Sequence, residues 1–248
     1  METLPDLWII VAAFLLAGTV KGIAGVGLPM TALGVLTFFT DPRTAFALVF
    51  VSIILSNAFQ FYRAGSMGPA IKRYLPFIIC MMIGIPVFLT ISADASEQFL
   101  LTTLGIVVLV FVALTVSPFV PTIQDRHERP AQILLGSAAG IMGGLTSIWL
   151  PAIVILLTAR KASKDEYIRV TSLLLLLGSV PLCIGYIREG FLTGPIALLS
   201  AVMFVPTMAG LLLGERLRAR LSEKAFRNAT LILFVLVGLN LLRRGLLG

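Results

Sequence analysis

Ala17-Gly18-Thr19-Val20-Lys21-Gly22-Ile23-Ala24-Gly25-Val26-Gly27-Leu28-Pro29 is the stretch whose reading decides the fold. It puts four glycines and a lysine between two apolar runs, 7–20 and 28–39. At 1.5 Å per residue these runs make helices of about 21 and 18 Å, short of a hydrocarbon core about 30 Å thick. The frame returns 122 residues later as Ala139-Gly140-Ile141-Met142-Gly143-Gly144-Leu145-Thr146-Ser147-Ile148-Trp149-Leu150-Pro151. Gly18 falls on Gly140, Gly22 on Gly144 and Leu28-Pro29 on Leu150-Pro151, without a gap. Around the second copy lie another two short apolar runs, 131–145 and 150–159.

The rest of the chain says what solvent these breaks live in. It is 58% hydrophobic and 12% charged, where soluble domains carry roughly 25% charged residues, and its mean hydropathy is +1.02. A soluble protein of this size could not bury so much apolar surface, so the composition indicates an integral membrane protein. The formal charge of +7 sits in short loops between apolar runs, which is how orientation is set, and it excludes a nucleic-acid-binding reading. The acidic start Met1-Glu2-Thr3-Leu4-Pro5-Asp6 lacks the positive n-region of a secretory signal, so the first apolar run is expected to be retained. Cys80 and Cys183 lie within apolar segments without metal-type spacing and read as small apolar side chains.

Six further runs, 44–62, 74–92, 99–117, 167–187, 193–214 and 226–242, are long enough to span. The four short runs are either two broken helices or two re-entrant hairpins. With hairpins, one side receives Arg63, Lys72, Arg73, Arg126, Arg129, Arg160, Lys161, Lys164, Arg216, Arg218, Arg220 and Lys224, about twelve basic residues. The other side keeps Arg43, Arg188, Arg243 and Arg244, about four. Broken helices would divide them about eight to eight. The Lys/Arg excess of cytoplasmic loops favours hairpins, with basic loops cytoplasmic and both termini periplasmic.

Further echoes extend the repeat. Arg63-Ala64-Gly65 is matched by Arg188-Glu189-Gly190, and Gly84 with Ser96-Glu97 is matched by Gly210 with Ser222-Glu223. One unit is then a re-entrant pair plus three crossings, an odd number, so tandem copies have opposite orientation. The expected fold is an all-α polytopic membrane protein of two inverted repeats, 1–116 and 131–248, joined by a central cytoplasmic loop at 117–130. That is a plan used by secondary transporters, with the site at the repeat interface near the midplane. His127, the only histidine, lies in the loop among charges and reads as solvated.

The glycine-rich break, its second copy after a central loop, the Arg-x-Gly after the next helix in each half and the length of 248 residues resemble the sulfite exporter TauE/SafE family. The resemblance covers nearly the whole chain and is most specific over residues 18–29 and their second-half partner. It implies a transporter that moves sulfite, a sulfonate such as sulfoacetate, thiosulfate or a related organic anion across the bacterial inner membrane. This chain departs from the glycine-rich pattern where Ser147-Ile148-Trp149 stands in place of Gly25-Val26-Gly27. The half-sites are therefore expected to differ, with Trp149 narrowing one side and Ser147 offering a hydroxyl.

The break has its own physical reading. Irregular backbone at membrane depth is tolerated only inside protein or along a water-filled cavity. The N-terminus of helix 28–39 would offer free N–H donors and partial positive charge. Gly22, Gly25 and Gly27 would let an anion approach the backbone, and Pro29 suits a first helical turn. Gly144, Thr146, Ser147 and Trp149 are the expected counterparts. Lys21 is an anion ligand or a residue that snorkels to the interface. Asn57 and Gln60, with Ser52 and Ser56 on nearby turns, are donors for the anion or glue between helices; Thr171, Ser172 and Ser179 hold the same position in the second half. Arg63 and Arg188 read as interfacial anchors.

None of the twelve acidic residues falls deep in an apolar run, so no proton-relay carboxylate is visible. Export driven by the membrane potential alone is the expectation, at about 2.3 kcal/mol per charge per 100 mV. No nucleophile, base or metal set indicates an enzyme, and no catalytic residue, metal or cofactor is expected. The expected partners are a small anionic substrate and the lipid bilayer, with no nucleic acid; a homodimer is an assembly open to the chain. The competing reading keeps the architecture and changes the cargo to a carboxylate or the direction to import.

Overall fold

The structure, a computed structural model, describes residues 5–24, 27–63, 68–117, 122–218 and 223–247. Among these the chain is all-helical, with twelve α-helices and one 3-10 turn at Asp125–His127. They are α1 Leu7–Ala24, α2 Leu28–Leu36, α3 Pro42–Arg63, α4 Gly68–Arg73, α5 Leu75–Ala93, α6 Glu97–Val116, α7 Glu128–Thr146, α8 Leu150–Ala159, α9 Lys164–Arg188, α10 Gly194–Val202, α11 Phe204–Arg218 and α12 Glu223–Leu247. Among the described residues five segments are long and apolar enough to cross a membrane: α3, α5, α6, Arg169–Arg188 of α9 and the combined Gly194–Leu217. The polytopic all-α expectation holds. Large apolar side chains also face outward, as in α5, where Leu75, Ile79, Ile83, Val87 and Ile91 are exposed at every fourth position. A helix apolar all round is what a bilayer requires.

Both breaks end in the expected way. Leu28-Pro29 opens α2 and Leu150-Pro151 opens α8, each proline in the first turn where its missing N–H leaves no bond unmade. The helices leading in are longer than expected. α1 continues through Gly22 to Ala24 and α7 begins at Glu128, giving 18 and 19 residues, or about 27 and 28 Å. Glycine lowers helix propensity by about 1 kcal/mol but does not terminate a helix that is packed on its neighbours. The apolar run 193–214, expected as one span, is two helices meeting at Met203. Pro206 has no N–H to give the Val202 carbonyl, which ends α10 there.

The chain forms two compact units. One comprises residues 1–56, 96–109 and 190–248; the other comprises 57–95 and 110–189. Each draws helices from both halves of the sequence. In the first unit α1 lies against α11, with α2 packed on α1 and α12; in the second α7 lies against α5, with α8 packed on α7 and α9.

Glycines make both crossings close. A Cβ on Gly18 would stand 2.2 Å from the Thr207 carbonyl oxygen, and one on Gly22 2.2 Å from that of Leu211. Reciprocally, one on Gly210 would meet the Leu15 oxygen at 2.2 Å. In the second unit a Cβ on Gly144 would stand 2.6 Å from the Ile85 oxygen, and Gly140 and Gly84 would each meet the other's Cα at 2.8 Å. The positions that correspond in the repeat thus carry corresponding contacts. This is small-residue packing of membrane helices, where backbones approach because nothing projects between them.

Candidate functional site around Lys21 and the two helix breaks

In the first unit, Lys21 is 3% exposed and its Nζ donates to Ser56 Oγ at 2.9 Å. Ser56 donates in turn to the Ile53 carbonyl at 3.0 Å. The ammonium is therefore held inside protein and does not snorkel outward. One turn earlier on α3, Ser52 Oγ donates to the Ser200 carbonyl at 2.5 Å, and Ser200 Oγ accepts from the Val51 N–H at 3.0 Å. Ser52, Ser56 and Ser200 are all fully buried. α1, α3 and α10 thus share a polar seam with one positive charge. Buried polar groups are retained only when hydrogen-bonded, and these are bonded to one another and to backbone.

Ser200 is absent from the sequence reading. It is one of three hydroxyls in the apolar run 193–214, and only its partners on α3 distinguish it. Asn57 and Gln60 follow Ser56 on α3, Asn57 buried and Gln60 half-buried. Gln60 continues the spacing of Ser52 and Ser56, so the three share one helix face.

Gly27 caps α2 with φ 100°. That left-handed backbone is open to glycine and strained for other residues. Its carbonyl accepts both the backbone N–H and the hydroxyl of Thr31, at 3.0 and 2.9 Å. Gly22 faces α11 and serves the close crossing described above. Gly25 lies outside the described residues, as do Ala64, Gly65 and Ser222 of the repeat.

The second break is closed upon itself. Ser147 takes a left-handed conformation at φ 59°, and its Oγ lies 2.6 Å from the Tyr186 hydroxyl. Thr146 donates to the Met142 carbonyl at 2.8 Å, and its oxygen accepts the Ile148 N–H at 3.3 Å. Trp149 is buried, and its Nε1 donates to the Leu174 carbonyl at 3.2 Å. A Cβ on Gly178 would strike the Trp149 ring at 2.7 Å. Gly144 packs on α5, and its carbonyl accepts from Ser92 Oγ at 3.1 Å. The left-handed residue falls two positions earlier in this frame than in the first break, so the breaks differ in backbone as well as side chains. Of the second-half hydroxyls, Ser179 bonds the Leu175 and Leu176 carbonyls of its own helix, while Thr171 is buried with no partner for its hydroxyl among the described residues.

Charged groups gather at the helix ends. In the first unit Arg244 donates to the Thr37 carbonyl at the C-terminus of α2 and lies 3.7 Å from Glu97. In the second, Arg73 Nε bonds Glu128 at 3.2 Å, Arg160 pairs with the same carboxylate, and the Tyr74 hydroxyl donates to Glu166 at 2.8 Å. Burial, with the Glu166 hydrogen bond, pushes the Tyr74 hydroxyl well above the usual phenol range, so it remains a donor. Arg63 lies over the Phe59 ring and Arg188 is exposed, both consistent with helix-end anchors. Among the described residues no group of three His, Cys, Asp or Glu could hold a metal. Every described Asp and Glu lies in a loop or in a first or last helical turn.

The family model described as sulfite exporter TauE/SafE matches residues 10–241, nearly the whole chain. No curated protein matches, and no solved structure matches.

Proposed function

The chain belongs to the sulfite exporter TauE/SafE family, and from that premise we propose that it exports a small sulfur-containing oxyanion such as sulfite, a sulfonate or thiosulfate. The observation that carries the reading is Lys21, an ammonium 3% exposed at the first break and hydrogen-bonded to Ser56. A lysine at membrane depth costs a few kcal/mol unless paired or hydrated, and an oxyanion beside it would be a partner of opposite charge. The donors proposed to share it are the backbone entering α2 at Gly27 and, further along α3, the amides of Asn57 and Gln60, with Ser52 and Ser56, whose hydroxyls already donate to carbonyls, lining the site. Thr146, Ser147 and Trp149 are proposed to shape the second break, since their hydrogen-bonding groups are already used within their own unit.

Direction follows from charge. With the cell interior negative, export of an anion gains about 2.3 kcal/mol per charge per 100 mV. The proposed setting is the bacterial inner membrane, with the basic loops cytoplasmic. The inverted relation of the repeats is part of the same proposal and is supported by the matching glycines of the two crossings.

The test is counterflow in proteoliposomes with sulfite, thiosulfate, sulfoacetate and simple carboxylates. Lys21→Ala is expected to insert normally and to weaken apparent affinity for the transported anion at least about tenfold, the value of one charge-assisted hydrogen bond. Unchanged rate and affinity in that variant would remove Lys21 from the site. A preference for carboxylates over every sulfur anion would overturn the substrate class.

A further inference from the structure

The second unit contains a pocket of about 280 Å³ between α4, the start of α5 and the start of α9. At about 30 Å³ per water, it is roomy enough for a hydrated oxyanion. Its polar lining is Arg73, Tyr74, Ser163, Glu166 and Arg169, with Ala70 at its wall. We propose that this pocket is a binding site for a phosphate group, presented by an anionic phospholipid headgroup or as the free ion.

The charges favour an anion. Glu166 is the one carboxylate in the lining, and it is already engaged: Tyr74 donates to it at 2.8 Å and Arg73 Nη1 stands 3.8 Å away. Ser163 Oγ caps α9 by accepting the Glu166 backbone N–H at 3.3 Å. Glu128, beyond the lining, takes Arg73 Nε and Arg160. Arg169 is the group left over. Its Nε is buried and has no hydrogen-bond partner among the described residues. A buried guanidinium donor without an acceptor is costly. Its planar fork matches the oxygens of a phosphate.

Position indicates how such a group would arrive. The apolar span of α5 starts at Leu75, immediately after Tyr74, and the apolar run of α9 follows Arg169. The pocket therefore lies at the boundary between polar chain ends and apolar spans, the level at which basic pockets meet lipid headgroups. Below it runs the exposed α5 stripe of Leu75, Ile79, Ile83, Val87 and Ile91, an apolar track for acyl chains.

The full chain in detergent is titrated with phosphatidylglycerol, phosphatidylcholine and inorganic phosphate, and bound mass is read by native mass spectrometry. Phosphatidylglycerol or phosphate is expected to bind, with phosphatidylcholine at least about tenfold weaker. Arg169→Gln removes one charge-assisted hydrogen bond and is expected to weaken binding about tenfold. Ala70→Met fills the pocket without changing charge and should do the same, so the test survives if Arg169→Gln fails to fold. Lys72→Gln, an equal charge change on a neighbouring residue outside the lining, should leave binding unchanged. Lipid retention that resists millimolar phosphate assigns the headgroup as the source. Phosphate binding lost in the two pocket variants assigns the free ion. Binding of neither probe, equal binding in wild type and both pocket variants, or an equal loss in Lys72→Gln overturns the site.

Discussion

Gly18→Ala adds one methyl group where α1 crosses α11. The new Cβ would lie 2.2 Å from the Thr207 carbonyl oxygen and 3.1 Å from the Leu211 nitrogen. Ordinary contact begins near 3.4 Å, so the helices must separate by about 1 Å at this point. The obstacle is backbone, which has no rotamer to change. Overpacking of this kind costs about 1–3 kcal/mol, against a gain of about 1 kcal/mol in helix propensity. The net expectation is a loss of up to about 2 kcal/mol. At roughly 2–4 °C per kcal/mol for a chain of this length, the midpoint should fall by up to about 8 °C. Gly194→Ala is the control, because a Cβ there meets nothing within 4 Å and only the propensity gain remains. Thermal unfolding in detergent, followed by tryptophan fluorescence, compares the two. If Gly18→Ala is as stable as Gly194→Ala, the close crossing of α1 and α11 is refuted.

Three other perturbations test separate contacts. Tyr186→Phe removes the partner of Ser147 and should cost about 1–2 kcal/mol of stability in chemical denaturation, with anion affinity in counterflow unchanged; a selective loss of affinity would instead put Ser147 in the anion site. Arg244→Gln should loosen the C-terminus of α2 by about 1 kcal/mol, read as faster hydrogen exchange at the amides of Thr37–Thr40, and unaltered exchange would deny Arg244 that role. Ser56→Ala takes the recorded hydroxyl from Lys21 and should lower stability by about 1–3 kcal/mol while shifting apparent anion affinity in the same direction as Lys21→Ala; an effect on neither would dissolve the proposed seam.

Residue by residue, the two breaks show what a sequence carries. Leu28-Pro29 and Leu150-Pro151 mark helix starts because proline's restricted backbone is a local property, and both starts lie where expected. Pro206 carried an equally local signal for the end of α10, though the apolar run around it reads as continuous. The glycines are ambiguous for a physical reason. Spaced four apart, Gly18 and Gly22, like Gly140 and Gly144, fit a bare backbone offered to a ligand or one offered to another helix. Only the presence of Thr207, Leu211 and Ile85 against them chooses the second. Lys21 was legible as an anomaly, a charge in an apolar stretch, but its bond to Ser56 spans 35 residues and has no local signature. Ser200 was illegible for the same reason, its partners lying 148 and 149 residues away. Gly25 is the one expected site residue on which the described structure is silent.

The pairing of α1 with α11 also sets a timetable. Gly18 meets Thr207, made 189 residues later, and Gly210 meets Leu15, made 195 residues earlier. At about 5–20 residues per second of synthesis, α1 leaves the ribosome roughly 10–40 s before its partner exists. During that interval Lys21 is in the nascent chain without α10 or α11, and its glycine face has only lipid, water or the insertion machinery to lie against. α7 has no such wait, because α5 precedes it. The second unit can therefore assemble first, and the lysine-bearing unit closes only after the last third of the chain has been made.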